Sequence, residues 1–216
     1  MTLGYAAITW GGKDDLAIQE VSEVGFKGIQ LRASAFEAYG TRPAALRELL
    51  AKHRLTFAVM SSGNLRYGPA DRGTQMALHL KHAEFVRDAG GQFIQVIDEK
   101  PKGRPVVTDD YKQLAEMLTR LGERTARIGV PLVYHHHMNS TGEPPEAIEA
   151  ILQQMSAQSA GLLFDTAHYQ QGGGDPVAFI RKYGRAIKVV HLKDVRPIAT
   201  PPATGTKPPS VSARRR

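Results

Sequence analysis

Three consecutive histidines, His135, His136 and His137, close the apolar run of "GVPLVYHHHMNS". Two later segments carry groups of the same chemical kind. "FDTAH" supplies Asp165 and His168, and "HLKD" supplies His191, Lys193 and Asp194. A fourth, "IDEK", adds Asp98 and Glu99. Imidazoles beside a carboxylate make a nitrogen and oxygen ligand set for Mn²⁺, Fe²⁺, Co²⁺ or Zn²⁺, better suited to these than to Mg²⁺. A neutral imidazole is also poised to take or give a proton near pH 7. Taken singly, each segment is unremarkable: a strand-end histidine is usually a polar group near a loop, and aspartate is a common helix cap. Five of the eight histidines nevertheless fall at the ends of three successive apolar runs. Along a strand alternate side chains share a direction, so His135 and His137 point one way and His136 the other.

The elements that must position these groups are short and regular. Apolar, β-rich runs recur as "LGYAAIT", "GIQLR", "TFAVM", "QFIQVI", "PLVYH", "GLLF" and "IKVVHL". Between them lie amphipathic helical patterns: "DDLAIQEVSEVG", "RPAALRELLAKH", "TQMALHLKHAEFVRDAGG", "TDDYKQLAEMLTRLGERTARIG", "PPEAIEAILQQM" and "DPVAFIRKYG". Pro43 and Pro176 sit in first turns, Asp175 in an N-cap position, and Gly25, Gly90 and Gly129 just past helix ends, as start and stop signals predict. His53, His79 and His82 fall on these helical segments. Seven strands alternating with helices predict a parallel sheet, and that many units favour a TIM (β/α)8-type barrel, whose chemistry lies at the C-terminal strand ends. Such a barrel takes about 250 residues. After "HLKDVRP" the pattern stops, so an apparent truncation after strand seven is expected. This gives an incomplete barrel over residues 1–196 and a disordered, Pro/Thr/Ser-rich basic tail over 197–216. The open edges of strands one and seven would favour a homo-oligomer.

Composition narrows the function classes. The chain has 216 residues, 42% hydrophobic and 23% charged, as expected of a globular domain with a real core. It has no cysteine, which removes disulfides, thiolate metal sites and cysteine nucleophiles, and fits a cytoplasmic setting. No apolar run approaches the ~18 residues of a membrane span, and the first residues, "MTLGYAAITWGG", lack the pattern of a signal peptide. The net charge of +7 is largely a property of the tail, where Arg196, Lys207, Arg214, Arg215 and Arg216 stand without any acid. The body is close to neutral, which argues against specific nucleic-acid binding.

"LGYAAITW", "VGFKGIQLR", "VPLVYHHHMNS", "LLFDTAHY" and "IKVVHLKDVRP" together resemble the sugar phosphate isomerase/epimerase family of xylose isomerase-like TIM barrels, and within it the inosose dehydratase branch. The resemblance covers about residues 3–197. It implies one divalent cation, Mn²⁺ or Co²⁺ most often, held on strands five to eight. The strand-six aspartate falls on Asp165 and the strand-seven histidine on His191. The strand-five ligand, usually glutamate, falls on His135. The strand-eight glutamate has no counterpart, since no acid follows Asp194. The implied chemistry acts on sugars or polyols beside a carbonyl: the metal stabilises an enediolate and a base moves the proton, giving isomerisation, epimerisation or dehydration. His137, His168, Glu99 and Lys193 are the proton-transfer candidates at the mouth. Trp10, at the end of strand one, and Arg196, just past strand seven, are candidates for contacting substrate. Two other readings are a catalytically impaired remnant barrel acting by binding, and an endonuclease IV-like repair enzyme. The second lacks the extra strand-end ligands and the basic groove it would need. The residue types also match the two-histidine, one-carboxylate iron triad, which normally occupies an antiparallel fold.

Overall fold

The structure is a computed structural model and describes residues 2–195. Arg196 and the expected tail lie outside the described residues. Seven strands form one sheet in chain order: β1 (Gly4–Ala6), β2 (Gly28–Arg32), β3 (Thr56–Leu65), β4 (Phe93–Asp98), β5 (Leu132–His135), β6 (Ala160–Asp165) and β7 (Ile187–His191). Every neighbouring pair is parallel. Eight helices connect them: α1 (Asp14–Glu23), α2 (Ser34–Tyr39), α3 (Pro43–Lys52), α4 (Arg72–Asp88), α5 (Thr108–Ile128), α6 (Pro145–Gln154), α7 (Thr166–Gln171) and α8 (Pro176–Tyr183). This is the TIM-barrel type of α/β fold, curled but unclosed among the described residues, where β1 and β7 each pair on one side.

The punctuation acts as expected. Gly25, Gly90 and Gly129 take φ values of 90°, 80° and 95°, the left-handed region that ends a helix before the next strand. Asp175 accepts hydrogen bonds from the amides of Val177 and Ala178 at the start of α8. Two strands differ from the expected runs. The first stops at Ala6 and turns into a 3₁₀ helix over Ala7–Trp10, which closes at Gly11 with φ 60°. The third runs on through the polar "SSGNL" to Leu65, across a register shift between Ser61 and Asn64. Gly63, at φ 97°, supplies the bulge that lets the strand stay paired.

Two layers follow from the period of two. Val59, Val133 and Leu163, with Ala58, Phe93 and Val189 against them, form a small apolar cluster apart from the main core. Two residues further along β4, β5, β6 and β7 stand Gln95, His135, Asp165 and His191, on the same faces as Phe93, Val133, Leu163 and Val189. An apolar inner layer is therefore capped, toward the C-terminal strand ends, by a polar one. The main core lies between sheet and helices, with Ile29, Leu46, Met60, Leu118, Tyr134 and Phe164 fully buried.

Candidate metal centre

The polar layer centres on Asp165, which is wholly buried at the end of β6. Its two carboxylate oxygens have separate duties. Oδ1 caps α7, accepting from the amides of Ala167 (3.1 Å) and His168 (3.0 Å). Oδ2 faces the interior, where four nitrogens converge on it: His135 Nε2 at 3.4 Å, His191 Nδ1 at 3.4 Å, His168 Nε2 at 3.6 Å and Lys193 Nζ at 2.6 Å. The cap fixes the carboxylate and also aims His168, three residues on, at the same point. Thr166 pins the segment after β7 beside it. Its hydroxyl donates to the Lys193 carbonyl at 2.6 Å and accepts from the Lys193 amide at 3.0 Å.

Burial sets the protonation states. It pushes His135 down to about 3, against the pull of Asp165 in the other direction. His136 is pushed down to about 3 and His168 to about 4, again chiefly by burial. These rings are neutral near pH 7 and carry free lone pairs. Burial drives the Asp165 carboxyl upward, but the hydrogen bond with His135, the His191 ring beside it and the Lys193 charge outweigh it and hold the group well below the usual carboxylate range.

The residue chemistry fits a divalent cation. Single ligand atoms of His135, Asp165 and His168 lie within 4.8 Å of one another. His191 Nδ1 and both ring nitrogens of His168 are buried without a hydrogen-bond partner. Orphaned buried nitrogens are costly unless something satisfies them, and a cation next to Oδ2 would do so.

The other expected site residues divide. His137 joins the group: its ring lies 3.9 Å from that of His168, centroid to centroid, and its Nδ1 is 2.8 Å from the Met138 carbonyl. His136 points away, as the alternation requires. Its Nε2 accepts from the Asp165 amide at 3.1 Å, and its ring packs on Phe164 and Tyr169. Glu99 is placed elsewhere, ion-paired to Lys102 at 3.0 Å in a hollow of about 310 Å³ with Arg66, Lys100 and Arg104. Trp10 packs edge-on against Tyr5 and donates its indole N–H to Glu20 at 2.7 Å. Arg196 lies outside the described residues.

Sequence reasoning missed two residues of this layer. Gln95, fully buried on β4, lies with its amide nitrogen 3.2 Å from His135 Nδ1. Gln30, half-buried on β2, donates to Gln95 Oε1 at 2.9 Å and takes His191 Nε2 at 2.8 Å on its own carbonyl oxygen. The available signal was a glutamine flanked by apolar residues in each of two strands, "GIQLR" and "FIQVI".

The comparisons agree with this architecture. The family model of the xylose isomerase-like TIM barrel matches residues 18–208. An inosose dehydratase of Lacticaseibacillus casei is 30% identical over 220 residues, which covers 90% of this chain and 71% of the relative. A sugar phosphate isomerase/epimerase of Parabacteroides distasonis superposes with a TM-score of 0.70 at 17% identity, over 94% of this chain and 78% of that one. The IolI protein, solved with a bound zinc atom, gives 0.75 at 17% identity, over 92% and 74%.

Proposed function

This chain belongs to the xylose isomerase-like TIM barrel family and is a sugar-modifying enzyme of the isomerase, epimerase or dehydratase kind; on that premise we propose that it moves a proton next to the carbonyl of a polyol-type substrate, with a divalent cation held beside Asp165. One observation carries the reading: Asp165 Oδ2, freed from capping, is the point on which His135, His168 and His191 converge in a buried polar layer at the strand ends. His135, Asp165 and His191, with His168 adjoining, would hold the cation; the family resemblance favours Mn²⁺ or Co²⁺, while the imidazole ligands accept Zn²⁺ and Fe²⁺ as well and suit Mg²⁺ least. When bound, it supplies Lewis acidity that polarises a carbonyl and acidifies the neighbouring C–H. The zinc of the IolI structure supports a metal in a barrel of this shape.

The chain's own groups supply the rest. His137 and the part of His168 not turned to the cation stand beside the site, and either ring can take the proton from the carbon next to the carbonyl. Returning that proton to the other face or to the neighbouring carbon gives epimerisation or isomerisation. Expelling a hydroxyl from the adjacent carbon, with a proton from Lys193 Nζ, leaves a double bond and releases water. The match to inosose dehydratases favours this dehydration of a ring-shaped keto-polyol. Among the described residues no helix is long and apolar enough to cross a membrane; the lack of cysteine supports a cytoplasmic enzyme. Among the described residues β1 and β7 each pair on one side only, which supports self-association.

The test is elemental analysis of protein loaded with Mn²⁺ and desalted, beside an Asp165→Ala, His191→Ala variant. Stoichiometric metal in the parent, lost in the variant, with water loss from an inosose substrate, is the expected result. A folded parent that retains no cation would overturn the reading.

A further inference from the structure

His135, Gln95, Gln30 and His191 form an unbroken hydrogen-bonded line, and Asp165 Oδ2 joins its two ends. The links measure 3.2 Å (His135 Nδ1 to Gln95), 2.9 Å (Gln95 to Gln30) and 2.8 Å (Gln30 to His191 Nε2), and each outer ring nitrogen lies 3.4 Å from Asp165 Oδ2. A direction rule follows from the chemistry of the members. Each link needs one donor and one acceptor. A carboxamide that donates at one end of such a line accepts at the other. Two carboxamides in series therefore pass one direction from ring to ring. If Gln95 donates to His135 Nδ1, then Gln30 accepts from His191 Nε2, and with one proton on each ring both carry it on Nε2. Turning both amides over reverses every link and puts both protons on Nδ1. The rule holds whichever way the amides are oriented.

The consequence appears at Asp165, because the two rings meet the line through different atoms. His135 faces Asp165 with Nε2 and His191 with Nδ1. In either direction of the line, one ring offers the carboxylate an N–H and only the other offers a lone pair. A cation at that point needs lone pairs from both, hence a proton on Nδ1 of His135 and on Nε2 of His191. The line as built forbids that combination unless one link breaks.

We propose that Gln30 and Gln95 are positioning residues that set the tautomers of His135 and His191 as a matched pair, and so hold the cation affinity of the Asp165 site below what its ligands would otherwise give. This rests on the divalent-cation reading above. It goes beyond it by assigning control of the site to two neutral side chains that act through their hydrogen bonds to His135 and His191.

Replacing one amide by a carboxylate separates this from a structural role. In Gln95→Glu the carboxylate accepts at both ends, from His135 Nδ1–H and from Gln30. His191 keeps Nε2–H, and both rings turn lone pairs to Asp165. Gln30→Glu reaches the same tautomers by the other route, with Gln95 turned over, and its half-buried position makes it the safer variant to fold. Two readouts apply. Nitrogen-15 spectra of the histidine rings in the metal-free protein should show like tautomers for His135 and His191 in the parent, and His135 on Nδ1–H with His191 on Nε2–H in either variant. Calorimetric titration with Mn²⁺ should show tighter binding in the variants, by roughly the 10–100-fold that outer-shell partners of ligating histidines command. A purely structural role predicts the reverse, weaker binding with unchanged tautomers. Unlike tautomers in the parent, or a folded variant whose tautomers and affinity do not move in this sense, would overturn the proposal. If no protein binds Mn²⁺ while the tautomers switch as stated, the cation reading fails and the control of the tautomers stands.

Discussion

Asp165 shows how far single residues can be read. The motif "DTAH" makes it both a helix cap and a ligand candidate, and the structure uses Oδ1 for the cap and turns Oδ2 to the histidines and Lys193. His79 and His82 gave no comparable signal beyond their place on a helical segment. They prove to be buried, both directing Nδ1 at the hydroxyl of Ser62, at 2.6 and 2.8 Å. One hydroxyl proton cannot serve both, so one ring accepts from Ser62 and the other donates to it. Burial, aided by the neighbouring His82, pushes His79 down to about 4, and burial also lowers His82. The unfolded chain binds protons at these rings near pH 6.5 and the folded chain does not. The contribution of His79 to stability is thus complete above about pH 6.5 and is lost as pH falls toward 4, by roughly 3 kcal/mol at full extent, and His82 acts in the same direction. Urea unfolding at a series of pH values should show this fall, and His79→Gln should make it shallower. An unchanged slope in the variant would mean that His79 is already protonated in the folded protein.

At the scale of elements, the glycine and proline punctuation made α1, α3, α4, α5, α6 and α8 legible, because caps and first turns are local chemistry. Two short helices, α2 and α7, lie outside that reading. Each spans six residues, too few for a periodic apolar face to declare itself. The packing of α5 on the sheet depends on a close approach that is visible only in three dimensions. A Cβ on Gly122 would lie 2.2 Å from the Ser159 carbonyl oxygen and 3.2 Å from the Ala160 Cβ. Gly122→Ala gains helix propensity but must push α5 off the start of β6. We expect a net loss of about 1–3 kcal/mol, as for other overpacked contacts, read as a lower urea midpoint. A variant as stable as the parent would show that α5 can shift without cost.

For the molecule as a whole, one core cluster runs without a break from Ala7 to Phe179, and all seven strands share one sheet. Trp10, the single tryptophan, sits at the first strand's end of that sheet. Its fluorescence and the far-ultraviolet circular dichroism of the whole chain should therefore report the same urea midpoint; an earlier fluorescence transition would make β1 and its 3₁₀ turn a separate unit. The alternation of strands and helices, the strand ends and the set of His, Asp and Lys groups placed there were determined by the sequence itself, since they depend on periodicity and capping that act over a few residues. Which atoms meet was decided by tertiary structure. Gln30 and His191 are 161 residues apart and 2.8 Å from contact because the sheet curls until β2 and β7 face each other across its interior. That distance is set by the tilt and stagger of all the strands between them. No local segment carries it, which is why two glutamines that looked like stray polar residues in apolar strands became part of the site only when the sheet was curled.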